Sequence, residues 1–279
     1  MSLKLFYITN NPAVAAIAEA AGVDRLFIDM EHIGKAARQG GMDTVQSHHT
    51  VEDVKALRRI LSKAELLVRV NPVHDATADY GSTEKEVDAV VAAGADVIML
   101  PYFKGVAEVR RFIRAVNGRC RTILLLETPA AAANIDDILD LQGIDEMFIG
   151  LNDLSLGYGM KFMFQLLADG TVERLAIKIR QRGIPFGFGG IAAVGTGTLP
   201  AEAILKEHYR LGSSMVILSR SFCNCTKITD LEVIREKFTT GIRTMRAFEE
   251  EIAVHSDYFS RNVAHVHECV DEILSRIAK

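Results

Sequence analysis

The chain has little of what would tie it to a membrane, a nucleic acid or an oxidising compartment. No apolar run reaches the roughly 18 residues of a membrane span. There is no basic stretch, and the formal net charge is −4 over 279 residues. We therefore expect neither nucleic acid nor membrane among its partners. Residues Met1–Thr9 lack the charged-then-apolar pattern of a secretory signal. Cysteine is sparse and scattered: Cys120, Cys223, Cys225 and Cys269. Cys223 and Cys225 are spaced neither as a redox CxxC nor as a zinc knuckle. Free thiols in a reducing cytoplasm are the expectation. No linker rich in Pro or Ser divides the chain, so 1–279 reads as one domain.

What is present is a regular alternation. Hydrophobic residues make up 49 % of the chain and charged residues 24 %, enough for a large core. Short apolar runs bounded by turn residues read as buried parallel strands. They fall at Lys4–Ile8, Arg25–Asp29, Glu65–Val70, Asp96–Leu100, Thr122–Leu126, Met147 to near Gly150, Ile184–Phe188 and Met215–Leu218. Helix-like segments separate them: Pro12–Ala21, a helix capped by Thr50 and running to Leu61, Thr83–Ala93, Val106–Val116, Ala130–Leu141, Met163–Arg182 with a break expected at Gly170, and Pro200–Tyr209. Gly22, Gly94, Gly118, Gly143, Gly183 and Gly212 sit where left-handed helix caps precede strands. Eight strand–helix repeats with short links predict an α/β fold, a (β/α)8 barrel. Leu231–Val254 and Tyr258–Ile277 are both helix-like; one closes the barrel. The other, within 255–279, is surplus and is expected to pack on a neighbouring subunit of a homo-oligomer.

Barrel active sites lie at the C-terminal ends of the strands. Those ends carry Asp29, Glu31 and His32 on the second strand, Arg69 and Asn71 on the third, Glu127 on the fifth, and Asn152 and Asp153 on the sixth. Glu127 and Asp153 leave neighbouring strands of one βαβ unit at the same edge. Two hard carboxylates there suit Mg2+, Mn2+ or Co2+. Arg69 is placed to hold an oxygen that becomes negative. His32, with Asp29 three residues before it, reads as an oriented general base. Metal, Arg and His together are what enolate chemistry on a 2-oxo acid requires. Each residue alone also has a plainer reading: Asp153 as a helix cap, Glu127 facing solvent, His32 bonded to backbone, Arg69 in an ion pair. His48-His49 reads as a solvated loop pair, and Met160 to Phe164 as a packed lid or subunit contact. The Gly187–Gly190 cluster reads as turn glycines.

Phe-Ile-Asp29-Met-Glu31-His32, Val-Arg69-Val, Gly94-Ala-Asp-Val-Ile-Met-Leu-Pro101, Leu-Leu-Glu127-Thr and Phe-Ile-Gly-Leu-Asn-Asp153-Leu-Ser occur in this order. Their spacing resembles the HpcH/HpaI aldolase and citrate lyase family, the metal-dependent class II pyruvate aldolases. The match runs from about Pro12 to Leu156. The resemblance implies a barrel of the phosphoenolpyruvate/pyruvate type, trimers or hexamers that exchange a C-terminal helix, and cleavage of a 4-hydroxy-2-oxo acid to pyruvate and an aldehyde. It implies Glu127 and Asp153 as metal ligands, Arg69 on the keto oxygen, His32 with Asp29 as base, and amides near Asn152 and Asp153 on the pyruvate carboxylate. Where the family often has Gln two residues before the metal Glu, this chain has Leu125. A CoA-ester lyase of the citrate lyase β-subunit type is the alternative within the family, although position 32 here is His and not Asp. A non-catalytic barrel with a binding or assembly role is the alternative outside it.

Overall fold

The structure, a computed structural model, describes residues 2–35, 47–254 and 256–277. Eight parallel strands close into a barrel in sequence order: β1 (Lys4–Ile8), β2 (Arg25–Asp29), β3 (Glu65–Arg69), β4 (Val97–Leu100), β5 (Arg121–Leu126), β6 (Glu146–Ile149), β7 (Phe186–Ile191) and β8 (Met215–Leu218). Pairing of β8 with β1 closes the ring. The described helices are α1 (Pro12–Ala21), α2 (Val51–Arg58), α3 (Thr83–Ala92), α4 (Val106–Val116), α5 (Pro129–Ala133), α6 (Ile135–Leu139), α7 (Leu151–Gly157), α8 (Gln165–Ala168), α9 (Thr171–Gln181), α10 (Ala201–Leu211), α11 (Leu231–Ala253) and α12 (Phe259–Ile277). None of them is long and apolar enough to cross a membrane.

Local chemistry accounts for the ends of these elements. Asn11 caps α1 by accepting from the amides of Ala13 and Val14 at 2.9 and 3.2 Å, and Pro12 fills the first helical position. Asp53 reaches back to the Thr50 amide at 2.7 Å, as a capping box does. The six glycines expected as left-handed caps all take positive φ. The expected helix Ala130–Leu141 is instead two short ones. Asn134 breaks it by donating its side-chain amide to the Ala130 carbonyl at 3.0 Å, in competition with the helix ladder. The break expected at Gly170 is present, between α8 and α9.

β7 departs from the expectation of Ile184–Phe188. It runs three residues further, through the glycine cluster, with a register shift between Gly187 and Gly190. These glycines are strand residues, not turn residues. A Cβ on Gly187 would lie 2.3 Å from Met215 Cγ and 2.8 Å from Phe148 Cε2 inside the barrel. Glycine lets the strand close against those side chains.

Two cores follow from the strand period of two. Outward-facing residues pack under the helices. Inward-facing ones fill the barrel: Phe6, Phe27, Leu67, Val97, Met99, Ile123, Leu125, Phe148 and Met215. Above and below that plug the same alternation sets charged residues. In β2 it reads Arg25, Phe27, Asp29; in β3, Glu65, Leu67, Arg69. Of the C-terminal helices, α11 lies on α1 and α10, and α12 lies on α10 and α8 of this same chain. Within the single chain the surplus helix is thus seated on two helices of the outer layer.

Candidate active site

Asp29 ends β2 and Arg69 ends β3, directly opposite one another in the sheet register. Arg69 meets the Asp29 carboxylate in a two-pronged pair, Nε to Oδ1 and Nη2 to Oδ2, each 2.8 Å. Lys35 adds a third bond to Asp29 at 2.7 Å and lies 3.6 Å from Glu31. Burial alone would raise the Asp29 pKa; Arg69 and Lys35 outweigh it and hold the carboxyl well below the usual range. Burial alone would lower the Arg69 pKa, but Asp29, Glu31 and Glu127 raise it. Arg69 is therefore a fixed cation, aimed by its partner.

Glu127 follows β5 and Asp153 lies in the first turn of α7, just after the neighbouring β6. They are 5 % and 7 % exposed and line one cavity of about 210 Å3. Glu127 does not face open solvent, because two backbone features cradle it. Tyr102 takes a left-handed φ of 50° and donates its amide to Glu127 Oε1 at 2.9 Å. Gly150 leaves space: a Cβ there would lie 2.9 Å from Glu127 Oε2. Asn152 donates its side-chain amide to Asp153 Oδ1 at 3.2 Å. Leu125, two residues before Glu127 on the same strand face, is buried in the barrel plug.

Asp29 and His32 are close in sequence, but the structure does not pair their side chains. The His32 ring is exposed; its Nδ1 lies 2.8 Å from the Met30 carbonyl, and it sits against Tyr80. A carbonyl only accepts, so Nδ1 carries the proton and Nε2 the lone pair. The orienting group is thus the Met30 carbonyl, not Asp29. Asn71 fixes this loop by accepting from the amides of His32 and Ile33 at 3.0 and 2.9 Å. Glu86 on α3 in turn accepts from the Asn71 side chain at 2.8 Å. Burial raises the Glu86 pKa, against the pull of those Asn71 bonds.

His49 and Lys35 escaped the sequence reading. His49 is half-buried beside Asp29, whose amide donates to its Nδ1 at 3.0 Å. An amide only donates, so the His49 proton is on Nε2. Burial pushes its pKa down, more than Asp29 and Asp53 lift it. His48 is exposed, as expected. Both missed residues belong to the polar stretch Ile33–His49, whose middle, 36–46, lies outside the described residues. Only Lys35 carried a signal, its position four residues after Glu31.

Asp29, Lys35, His49, Arg69 and Asn152 share the largest mouth cavity, about 610 Å3. Its far wall comes from the ends of β1 and β8, with Thr9, Asn10, Ser219, Arg220 and Cys225. Met163 closes one side, while Phe164 is buried. The 160–164 segment is a packed part of the wall. All of the expected site residues except His32 therefore line one of two cavities at the C-terminal rim.

Comparisons with known proteins bear on the fold and the family. The 2-keto-3-deoxy-L-rhamnonate aldolase of Escherichia coli (strain 536) is 24 % identical over 206 residues, 69 % of this chain and 76 % of that protein. Its namesake from Shigella dysenteriae is 26 % identical over 211 residues, 69 % and 76 % of the two chains. Among solved structures, the HpcH/HpaI aldolase from Desulfitobacterium hafniense superposes with a TM-score of 0.62 at 18 % identity, covering 84 % of this chain and 93 % of that one. The citrate synthase SbnG superposes with a TM-score of 0.60 at 18 % identity, covering 85 % and 94 %. At such identity these structures speak for the fold alone. Residues 2–164 match the profile of one family, and that span holds every rim residue from Asp29 to Asp153. The chain belongs to the HpcH/HpaI aldolase/citrate lyase family.

Proposed function

We propose that the protein is a divalent-metal-dependent lyase that cleaves a 4-hydroxy-2-oxo acid to pyruvate and an aldehyde, and runs the reverse aldol addition. The observation that carries this reading is the pair of buried carboxylates, Glu127 and Asp153, lining one cavity beside an Arg69 already fixed by Asp29. Among the described residues no cluster of three or more His, Cys, Asp or Glu side chains is placed to hold a metal ion. The fitting cation is accordingly one content with two protein oxygens, its other positions left to water and substrate: Mg2+, Mn2+ or Co2+. Bound there, such a cation draws charge from the carboxylate and keto oxygens of a 2-oxo acid and lowers the cost of the enolate.

The chain's own groups do the rest. The Asp29 pair uses Arg69 Nε and Nη2, which leaves Nη1 as the donor for the keto oxygen as negative charge grows on it. First-turn amides of α7, at Asn152 and Asp153, are the donors for the pyruvate carboxylate. The base for the 4-hydroxyl proton is His32 Nε2, which lines neither cavity and so takes the proton across a bridging water, while its Nδ1–H stays on the Met30 carbonyl. The C3–C4 bond then breaks, the aldehyde departs, and protonation at C3 gives pyruvate. His49 Nε2–H serves as a neutral hydrogen-bond donor in the mouth.

Pyruvate release from a panel of 4-hydroxy-2-oxo acids, before and after chelation and with each metal restored, tests the reading. Release that survives complete chelation would remove the metal from it. Release from an acyl-CoA substrate alone would move the protein to the CoA-ester lyases.

A further inference from the structure

Just beyond β8 the chain carries two cysteines that the proposed chemistry does not use. Cys223 is buried and Cys225 lines the mouth. Their sulfurs lie 3.7 Å apart, in van der Waals contact. The Tyr7 hydroxyl lies over the pair, donating to the Cys223 carbonyl at 2.9 Å and lying 3.0 Å from Cys225 Sγ. That hydroxyl is held in place, since the Tyr7 ring packs edge-on against Phe238 with centroids 4.8 Å apart. Two sulfurs in contact, one of them reachable from a polar cavity and bonded to a fixed phenol, differ from the isolated thiols Cys120 and Cys269.

We propose that Cys223 and Cys225 form a reversible dithiol–disulfide modification site in the wall of the mouth. The oxidant is a small-molecule disulfide of the glutathione class. Cys225 thiolate attacks one sulfur of that disulfide, forming a mixed disulfide and releasing one thiolate. Cys223 then gives up its proton and attacks the Cys225 sulfur, which releases the second thiolate. Two protein thiols are oxidised, one disulfide is reduced, and the two protons end on the released thiols. The roles follow from the surroundings. The Cys223 S–H bond, with help from Tyr7, brings the Cys225 thiol down to about 7 against its burial. Its bond to Cys225, with burial, pushes Cys223 up. Cys225 is the attacking sulfur and Cys223 the resolving one. Forming the bond draws Cys225 away from Tyr7 and re-shapes the wall formed by residues 223–226.

The test uses the intact protein with glutathione disulfide at pH 7, followed by blocking of free thiols and peptide mapping. In the wild-type protein an intramolecular Cys223–Cys225 bond is expected, with Cys120 and Cys269 still free, and a thiol reductant reverses it. Cys223→Ser should trap glutathione on Cys225, and Cys225→Ser should take up none at either position. Without any variant, iodoacetamide should label Cys225 about tenfold faster than Cys269 at pH 7, from its larger thiolate fraction. A wild-type protein that keeps glutathione on Cys225, or in which Cys269 reacts as fast as Cys225, overturns the proposal.

Discussion

The two ends of the barrel are built from the same parts and differ in what lies next to the ion pairs. At the bottom, Arg25 is completely buried, pairs with both oxygens of Glu146, bonds Glu65 at 2.7 Å, and stacks over Phe6. Arg121 also pairs with Glu65. Lys4 also lies 3.8 Å from Glu146, so three cations meet two glutamates there. At the top, Arg69 pairs with Asp29 and stacks over Phe27, and Lys35 joins them. Among the described residues those two cations share the rim with four buried carboxylates, Asp29, Glu31, Glu127 and Asp153. Arg220, also on the mouth, is exposed. Buried charge carries a cost unless it is matched. Asp29 and Arg69 line the larger mouth cavity, and Glu127 and Asp153 the smaller one. One end is a closed ion-pair cluster, and the other opens on the candidate site.

The largest expected effects come from neutralising the two carboxylates of the smaller cavity. Glu127→Gln and Asp153→Asn should each lower kcat for pyruvate release by about a thousandfold, because several kcal/mol of charge stabilisation depend on the pair. Neither should shift the apo-protein's thermal midpoint by much, since each replacement keeps the shape of the side chain and an oxygen that accepts the bond from Tyr102 or Asn152. A clear loss of apo stability would mean that the rim carboxylates are structural, like those below. Next comes Arg69→Lys, which keeps the charge but loses the two-pronged grip on Asp29. It should cost about a hundredfold in kcat with a much smaller change in KM. Equal changes in both would assign Arg69 to substrate binding alone.

Most of this contrast is written in the period of two along the strands. Arg25, Phe27 and Asp29 share a face because they alternate, and so do Glu65, Leu67 and Arg69. For that reason the barrel, its rim residues and the neighbouring placement of Glu127 and Asp153 were all legible from local pattern. What was not legible depends on where loops fold back. Nothing near residue 49 marks His49 as a partner of the Asp29 amide, 20 residues away. Asn71 and His32 were legible as strand-end residues, but the bonds that tie Asn71 to Glu86 and to the His32 amide join three elements and show in none of them alone. His32 and Asp29 misled in the opposite sense, since closeness in sequence is not contact where a strand ends and the chain turns. The extension of β7 was hidden because glycine has low strand preference; its cause is the crowding of Met215 and Phe148.

The bottom can be probed by stability alone. Glu146→Gln leaves Arg25 buried with half its pairing gone and should destabilise the fold by about 3 kcal/mol. In the surviving folded protein, kcat should stay near wild type. Chemical denaturation beside steady-state kinetics checks both halves. A large fall in kcat would show that the two ends are coupled through the plug.

A further effect separates both ends from the rest of the fold by pH. Burial works to raise Glu65 and Asp29, but Arg25 at the bottom and Arg69 at the top win and hold these carboxyls below the usual range. Neither end should therefore lose its pairing between pH 6.5 and 4. His208 belongs to neither end. It is fully buried, stacked on Phe188 at 3.8 Å, and burial pushes it down from 6.5 to about 3. Below pH 6.5 the unfolded chain binds a proton there that the folded chain refuses, so stability falls as pH falls. The slope is about 1.4 kcal/mol per pH unit, levelling off as the pH nears 3. His49, also pushed down by burial, adds a smaller part. Denaturation midpoints from pH 7 to 4 should fall in the wild-type protein and fall less steeply in His208→Gln. An unchanged slope in that variant would assign the acid sensitivity to a group other than His208.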